Sequence, residues 1–157
     1  MLAFARDYRD RANEKVVSSA QVSAVPFDDG TPQHGVMLTG PNGNPCRFSH
    51  WSFGQLAASI KAPADYLRSI PGELAADCVN YGLRLGMGSA RDFGVLLHRA
   101  ANYNELAAWT GPRYGRIWND EVVQALCERF GDGISGDWRV PGEFGHAVAV
   151  DQSNTTL

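Results

Sequence analysis

Pro63 and Pro71 cut the helical periodicity of residues 52–85 into short pieces, and strand-like runs lie on both sides of that stretch. Proline lacks an N–H and clashes with the preceding turn, so each one ends a helix and can open the next. Helices of about ten residues are marginal alone and need an apolar face laid on another element. The flanking strands provide that surface. The expected class is therefore α+β, with small antiparallel sheets and helices packed on one face.

Residues 2–15 are expected to form a polar helix anchored by Leu2, Phe4 and Tyr8, and residues 16–27 an edge strand. A turn at 28–30 leads to a strand over 34–39, and Asn42-Gly43 suits a tight hairpin into Cys46-Arg47-Phe48. Ser52-Phe53-Gly54-Gln55 matches a capping box, so a helix is expected to start there with Phe53, Leu56 and Ile60 inward. A short helix after Pro63 carries Tyr66 and Leu67. After Pro71, Leu74, Cys78, Tyr81 and Leu85 recur at i, i+4, i+7 and i+11 and are expected to be the packed face, ending at glycines 86 and 88. Residues 93–99 and 105–110 read as a strand pair. Asn119 or Asp120 is expected to cap a helix with Val122, Val123, Leu126, Cys127 and Phe130 on one face, stopped by Gly131, and residues 146–150 read as a last strand.

No internal repeat or low-complexity linker divides the 157 residues, so one domain over 1–157 is expected. No apolar run is long enough for a membrane span and charge begins at Arg6, so no membrane partner and a cytoplasmic location are expected. Three widely spaced cysteines, Cys46, Cys78 and Cys127, are expected to be reduced and buried. The net charge of −3 argues against coating nucleic acid by bulk charge, so any such binding must use a local patch. Lys15 and Lys61 are the only lysines, which leaves arginine to supply the cations.

Motifs for chemistry are sparse. Gly86-Met87-Gly88-Ser89 follows a helix and lacks the lysine of a phosphate loop, and reads as a helix stop. Cys46 and His50 are four apart, but His34, His98 and His146 are scattered and no paired-cysteine or His-Glu-x-x-His motif occurs. Ser135 is not in a nucleophile elbow. No catalytic residue, metal or cofactor is therefore assigned, while proximity in the fold could still assemble a triad or a carboxylate pair, so an enzyme stays open as a lesser alternative.

The segment 109–120, Trp-Thr-Gly-Pro-Arg-Tyr-Gly-Arg-Ile-Trp-Asn-Asp, is different, because arginines and aromatic rings alternate in it. Such residues stack bases and hold phosphates, each stacked base being worth about 1–3 kcal/mol. They also serve as packing: Trp109 can close the strand pair, Gly111-Pro112 can turn the chain and Trp118 can staple the next helix. Both readings stand at the level of sequence. The residues assigned to nucleic-acid binding are Arg99, Tyr103, Arg113, Tyr114 and Arg116, with Arg113 and Arg116 the hardest to explain by packing.

Residues 48–83 (FSHWSFGQLAASIKAPADYLRSIPGELAADCVNYGL), residues 107–126 (AAWTGPRYGRIWNDEVVQAL) and the terminal NTTL resemble the phage/plasmid-like family known as domain of unknown function 932. The likeness rests on Gln55-Leu56-Ala57, Ala62-Pro63 with Tyr66-Leu67, Ile70-Pro71 with Asn80, and the element from Ala107 to Tyr114. The family's arginine-serine element stands here as Ala-Ala-Trp-Thr-Gly-Pro-Arg, so no role of that serine carries over. The family also continues beyond its Thr-Thr-Leu-like strand, so the resemblance implies a fragment of a longer chain or a naturally short member. The resemblance implies a gene of phages, plasmids or integrated elements and no established activity.

Two functions are therefore expected of the chain, both of them binding. One is a DNA-associated accessory protein of a mobile element, of single-strand-binding or annealing type, acting as a homo-oligomer if modest patches are to line up. The alternative is an inhibitor of a host defence complex that offers an exposed strand edge to a protein partner.

Overall fold

The computed structural model describes residues 2–27, 35–86, 89–100, 102–130, 139–141 and 147–149. The turn expected at 28–30, His34, Gly88, the helix stop at Gly131, Ser135, His146 and the terminal Thr155-Thr156-Leu157 lie outside the described residues. The chain divides into two compact units, one of residues 13–114 and one of residues 1–12 with 115–157.

The fold is α+β. Its elements in chain order are α1 (Leu2–Asp10), β1 (Ala12–Ser18), β2 (Ser23–Pro26), β3 (Val36–Thr39), β4 (Pro45–Phe48), α2 (His50–Ser59), α3 (Ala64–Ser69), α4 (Gly72–Tyr81), β5 (Asp92–Arg99), β6 (Asn104–Thr110), α5 (Asn119–Phe130), β7 (Arg139–Pro141) and β8 (Ala147–Ala149). Strands β1 to β6 form one sheet in the order β1-β5-β6-β4-β3-β2. The described pairings are antiparallel within β2-β3, β3-β4 and β5-β6, whereas β4 and β6 are parallel. That parallel join needs a long crossover. Helices α2, α3 and α4 supply it and cover one face of the sheet, with Phe53, Leu56, Ala57, Leu67, Ala75, Ala76 and Val79 in one core with Val22, Leu38, Val95 and Leu106.

Helix α2 starts three residues earlier than its capping box suggests. Ser49 is the cap: its Oγ accepts the Ser52 N–H at 3.1 Å, and the Ser52 hydroxyl donates back to the Ser49 carbonyl at 3.2 Å. The box is therefore Ser49 with Ser52, and Gln55 is released for another task. Similarly, α1 stops at Asp10 and β1 begins at Ala12, so the polar helix expected to residue 15 is shorter by a turn.

Helix α4 is rotated from its expected orientation. Leu74, Cys78 and Tyr81 face solvent, while Ala75, Ala76 and Val79 face the sheet. Close approach explains the choice of small residues. A Cβ built on Gly72 would lie 2.3 Å from the Gly35 carbonyl oxygen, so the chain before β3 and the start of α4 touch backbone to backbone. Asn80 fixes the rotation from the other end: its Nδ2 donates to the Ala24 carbonyl and its Oδ1 accepts the Ala24 N–H, both at 2.8 Å. Strand β2 is the last strand of the sheet, so this amide occupies the place of a further strand at Ala24.

The second unit is held by polar contacts on a small apolar seam. Ala5 of α1 and Val123 of α5 are buried. The Arg9 guanidinium bonds Asp120 at 3.0 Å and Glu121 at 3.2 Å, and those contacts, Asp120 first, hold it above its ordinary pKa against some desolvation. β7 and β8 pair antiparallel in the same unit.

Replacing Asn80 by alanine leaves both backbone groups of Ala24 unmade and is expected to lower stability by about 2–3 kcal/mol. Tyr81→Ala, on the solvent face of the same helix, is expected to stay within about 0.5 kcal/mol. Urea midpoints of the two variants check the assignment, and the opposite ranking would show that α4 is rotated the other way.

Candidate nucleic-acid interface

The β5-β6 ladder carries or flanks Arg99, Tyr103, Arg113 and Tyr114. Its register pairs Leu97 with Leu106 but Val95 with Trp109, with the irregularity between Leu96 and Leu97. One extra residue of β6 is thus bulged opposite a regular β5. Across a bulge the alternation of side chains slips by one, so Leu106 and Trp109 point to the same face although they are three apart. Trp109 is 2% exposed and stacks on Phe93, with centroids 4.6 Å apart and planes at 28°. It is a core residue.

Helix α2 completes the edge of β6 where β4 has ended. The Ser49 N–H donates to the Leu106 carbonyl at 3.1 Å, and the Ser49 hydroxyl to the Ala107 carbonyl at 3.2 Å. Gln55 Oε1 accepts the Trp109 N–H at 2.9 Å, and the Trp109 indole donates to Ser59 Oγ at 3.2 Å. Polar side chains of one helix thus stand in for a strand, and they position the start of the segment 109–120.

That segment leaves β6 in a turn over 111–114, where the Tyr114 N–H donates to the Gly111 carbonyl at 3.1 Å. The turn runs close over β5, since a Cβ on Gly94 would lie 3.0 Å from the Gly111 oxygen. Arg113 is exposed, as is Tyr114 at 62%. Because Thr110 pairs with Gly94, the turn sits at the end of the ladder where β5 begins. Arg91, just before β5, is exposed at the same end, beside Asp92. Sequence reading passed over Arg91, and the signal available for it was a lone arginine ahead of an apolar run.

Arg99 and Tyr103 are at the opposite end of the same ladder. Arg99 pairs with Asn104 there, five residues of strand or about 17 Å from the Gly94-Thr110 pair. Arg99 is exposed. Tyr103 is half-buried, with the Arg47 guanidinium 4.8 Å from its ring centroid and 4.5 Å from that of Phe27. This sandwich ties β4 to the end of β2 and the loop before β6.

Arg116 belongs to the second unit. It lies over Trp118 at 5.6 Å, with Arg9 over the same indole at 5.2 Å, and the Trp118 N–H donates to Glu121 Oε2 at 3.2 Å as α5 begins. Of the five assigned residues, then, only Arg113 and Tyr114 stand next to one another on an exposed turn.

Among the described residues no three His, Cys, Asp or Glu side chains gather as metal ligands, and no helix is long and apolar enough to cross a membrane. Burial pushes the Cys46 thiol up, against a smaller opposing effect of Lys15, while Cys78 is exposed rather than buried. The strand edges sought for a protein partner are guarded: Asn80 holds β2, and β1 carries exposed Lys15 and Glu14. No family model, curated protein or solved structure matches the chain, so the geometry of the turn stands without a comparison.

Trp109→Ala is expected to cost about 3–5 kcal/mol, read as a lower urea midpoint, and Arg113→Ala to leave it unchanged. At about pH 8, near the usual thiol range, iodoacetamide is expected to label Cys78 first and Cys46 slowly, with Cys46 catching up as the pH rises; mass spectrometry of the peptides gives the order.

Proposed function

We propose that the chain is an accessory protein of a mobile element that binds single-stranded DNA, weakly and locally, at the turn over 111–114. One observation carries the reading: an exposed arginine and an exposed tyrosine are neighbours on a turn anchored by a buried strand end, with Arg91 at the same end of the sheet. The family resemblance of the sequence supplies the mobile-element setting.

Each residue has a defined task in this reading. The Tyr114 ring offers a face to an unstacked base, which a duplex does not present without opening. Arg113 and Arg91 take the flanking phosphates, and their planar guanidinium groups can hold two oxygens each. Because the chain carries a net charge of −3, there is little long-range attraction to add to these contacts. The grip is therefore short and sensitive to salt.

Fluorescence anisotropy of labelled oligonucleotides tests it, at about 50 and 200 mM salt. Two phosphate contacts to a single strand give a slope of log K against log salt of about −1.4, and Arg113→Ala is expected to reduce it by about 0.7. Tyr114→Ala is expected to cost about 1–3 kcal/mol of binding with the slope kept. Absence of binding at both salts, or tighter binding to duplex than to single strands, overturns the proposal.

A further inference from the structure

The outer face of α4 is used by neither the core nor the proposed DNA contact. Leu74 is 51% and Tyr81 65% exposed, and Cys78 between them is exposed too. At about 100° per residue the three fall within a sector of about 60°, centred about 140° from Ala75, Ala76 and Val79. The helix is apolar on two sides. One side is explained by the sheet, and the other is exposed among the described residues although its spacing is that of a packed stripe.

Charge flanks this stripe unevenly. Glu73 and Asp77 lie along one side at its N-terminal half, and Arg84, in the π-helical turn Gly82–Gly86 that continues α4, lies on that same side at the C-terminal end. All three are exposed. Opposite signs at the two ends of one flank are self-complementary under a two-fold axis, because the axis reverses the helix and keeps the flank on the same side.

We infer that α4 pairs antiparallel with α4 of a second copy of this chain, about an axis through Cys78. In that pairing Leu74 of each copy meets Tyr81 of the other, since the two residues lie about 6 Å and 4.5 Å on either side of Cys78 along the helix. Cys78 faces its own counterpart, and a small side chain at the crossing point lets the helices approach. Glu73 of one copy faces Arg84 of the other at both ends, the two lying about 7.5 Å and 9 Å from the axis, while Asp77, about 1.5 Å from it, lies by its own counterpart. Arg84 also donates to Ser23 Oγ of β2 at 3.1 Å, which orders its side chain. An unlike partner would need its own apolar stripe and charges in this order, whereas a second copy has them already. A pair of helices of this length covers less than the roughly 1,200 Å² of a standard interface, so the dimer is concentration-dependent.

Sedimentation equilibrium of the full chain from about 5 to 200 μM, the range that titrates a micromolar Kd, is expected to show a mass rising from one chain towards two. Leu74→Arg is expected to raise the dimer Kd by about tenfold or more, as is Arg84→Glu, and Glu73→Arg combined with Arg84→Glu to recover most of the loss. All these positions are exposed, so the variants should keep the thermal midpoint of the parent, and a short bismaleimide should cross-link the chain unless Cys78→Ser is present. A monomer at every concentration overturns the inference. So does a dimer that ignores Leu74→Arg, or cross-linking that survives Cys78→Ser, since either places the contact on another face.

Discussion

The bulge in β6 puts Trp109 on the same face as Leu106, and the α2 helix, the covered face of the sheet and the turn over 111–114 all take their positions from that slip. Without it, strict alternation would send Trp109 outward, away from Phe93. The indole and the backbone of Trp109 then bond Ser59 and Gln55, so the ring that fills the core also fixes the helix lying over it. Hydrophobic filling and polar pairing here act through one residue. This is why the parallel join of β4 to β6 tolerates strands of such unequal length: where β4 stops after Phe48, Ser49 and Gln55 take over its hydrogen bonds.

At the far side of the sheet a different constraint decides. Gly35 and Gly72 bring α4 so near to the chain entering β3 that alanines, not leucines, fit on its inner face. Asn80 then closes the edge of β2 with two hydrogen bonds and sets the helix rotation. Close packing with small residues and a polar latch thus displaces the larger apolar side chains to the outside. The outward stripe of Leu74, Cys78 and Tyr81 follows from how the inside was packed.

Local chemistry was legible in the sequence where one residue type has one effect. Pro63 and Pro71 mark the starts of α3 and α4, the apolar runs mark β5 and β6, and the pattern from Asn119 to Phe130 finds the span of α5, although Asn119 and Asp120 lie within the helix and Val122, expected on its packed face, is exposed. Tertiary choices were not legible. Periodicity finds an apolar stripe on α4 but does not say which of two stripes packs, because the backbone contact of Gly35 with Gly72 joins residues far apart in sequence. A bulge leaves no mark in a run such as Asn-Glu-Leu-Ala-Ala-Trp-Thr. The same limit governs the candidate site: closeness in sequence grouped Arg99, Tyr103, Arg113, Tyr114 and Arg116, whereas the ladder carries the first two to one end and the turn to the other.

A contact reduced to one turn changes what single-strand binding by this chain would require. Two arginines and one ring make a small grip, and a net charge of −3 gives it no help at a distance. Such a chain can gain affinity by becoming basic or by presenting the same contact more than once. A symmetric pair does the second, because once one copy holds the strand the other meets it at a high effective concentration. The α4 surface and the turn are separate on the sheet, so pairing through one leaves the other exposed. The proposed strand contact and the inferred α4 pairing are compatible in this way: an acidic chain binding a strand through one turn would draw its affinity from assembly rather than from charge.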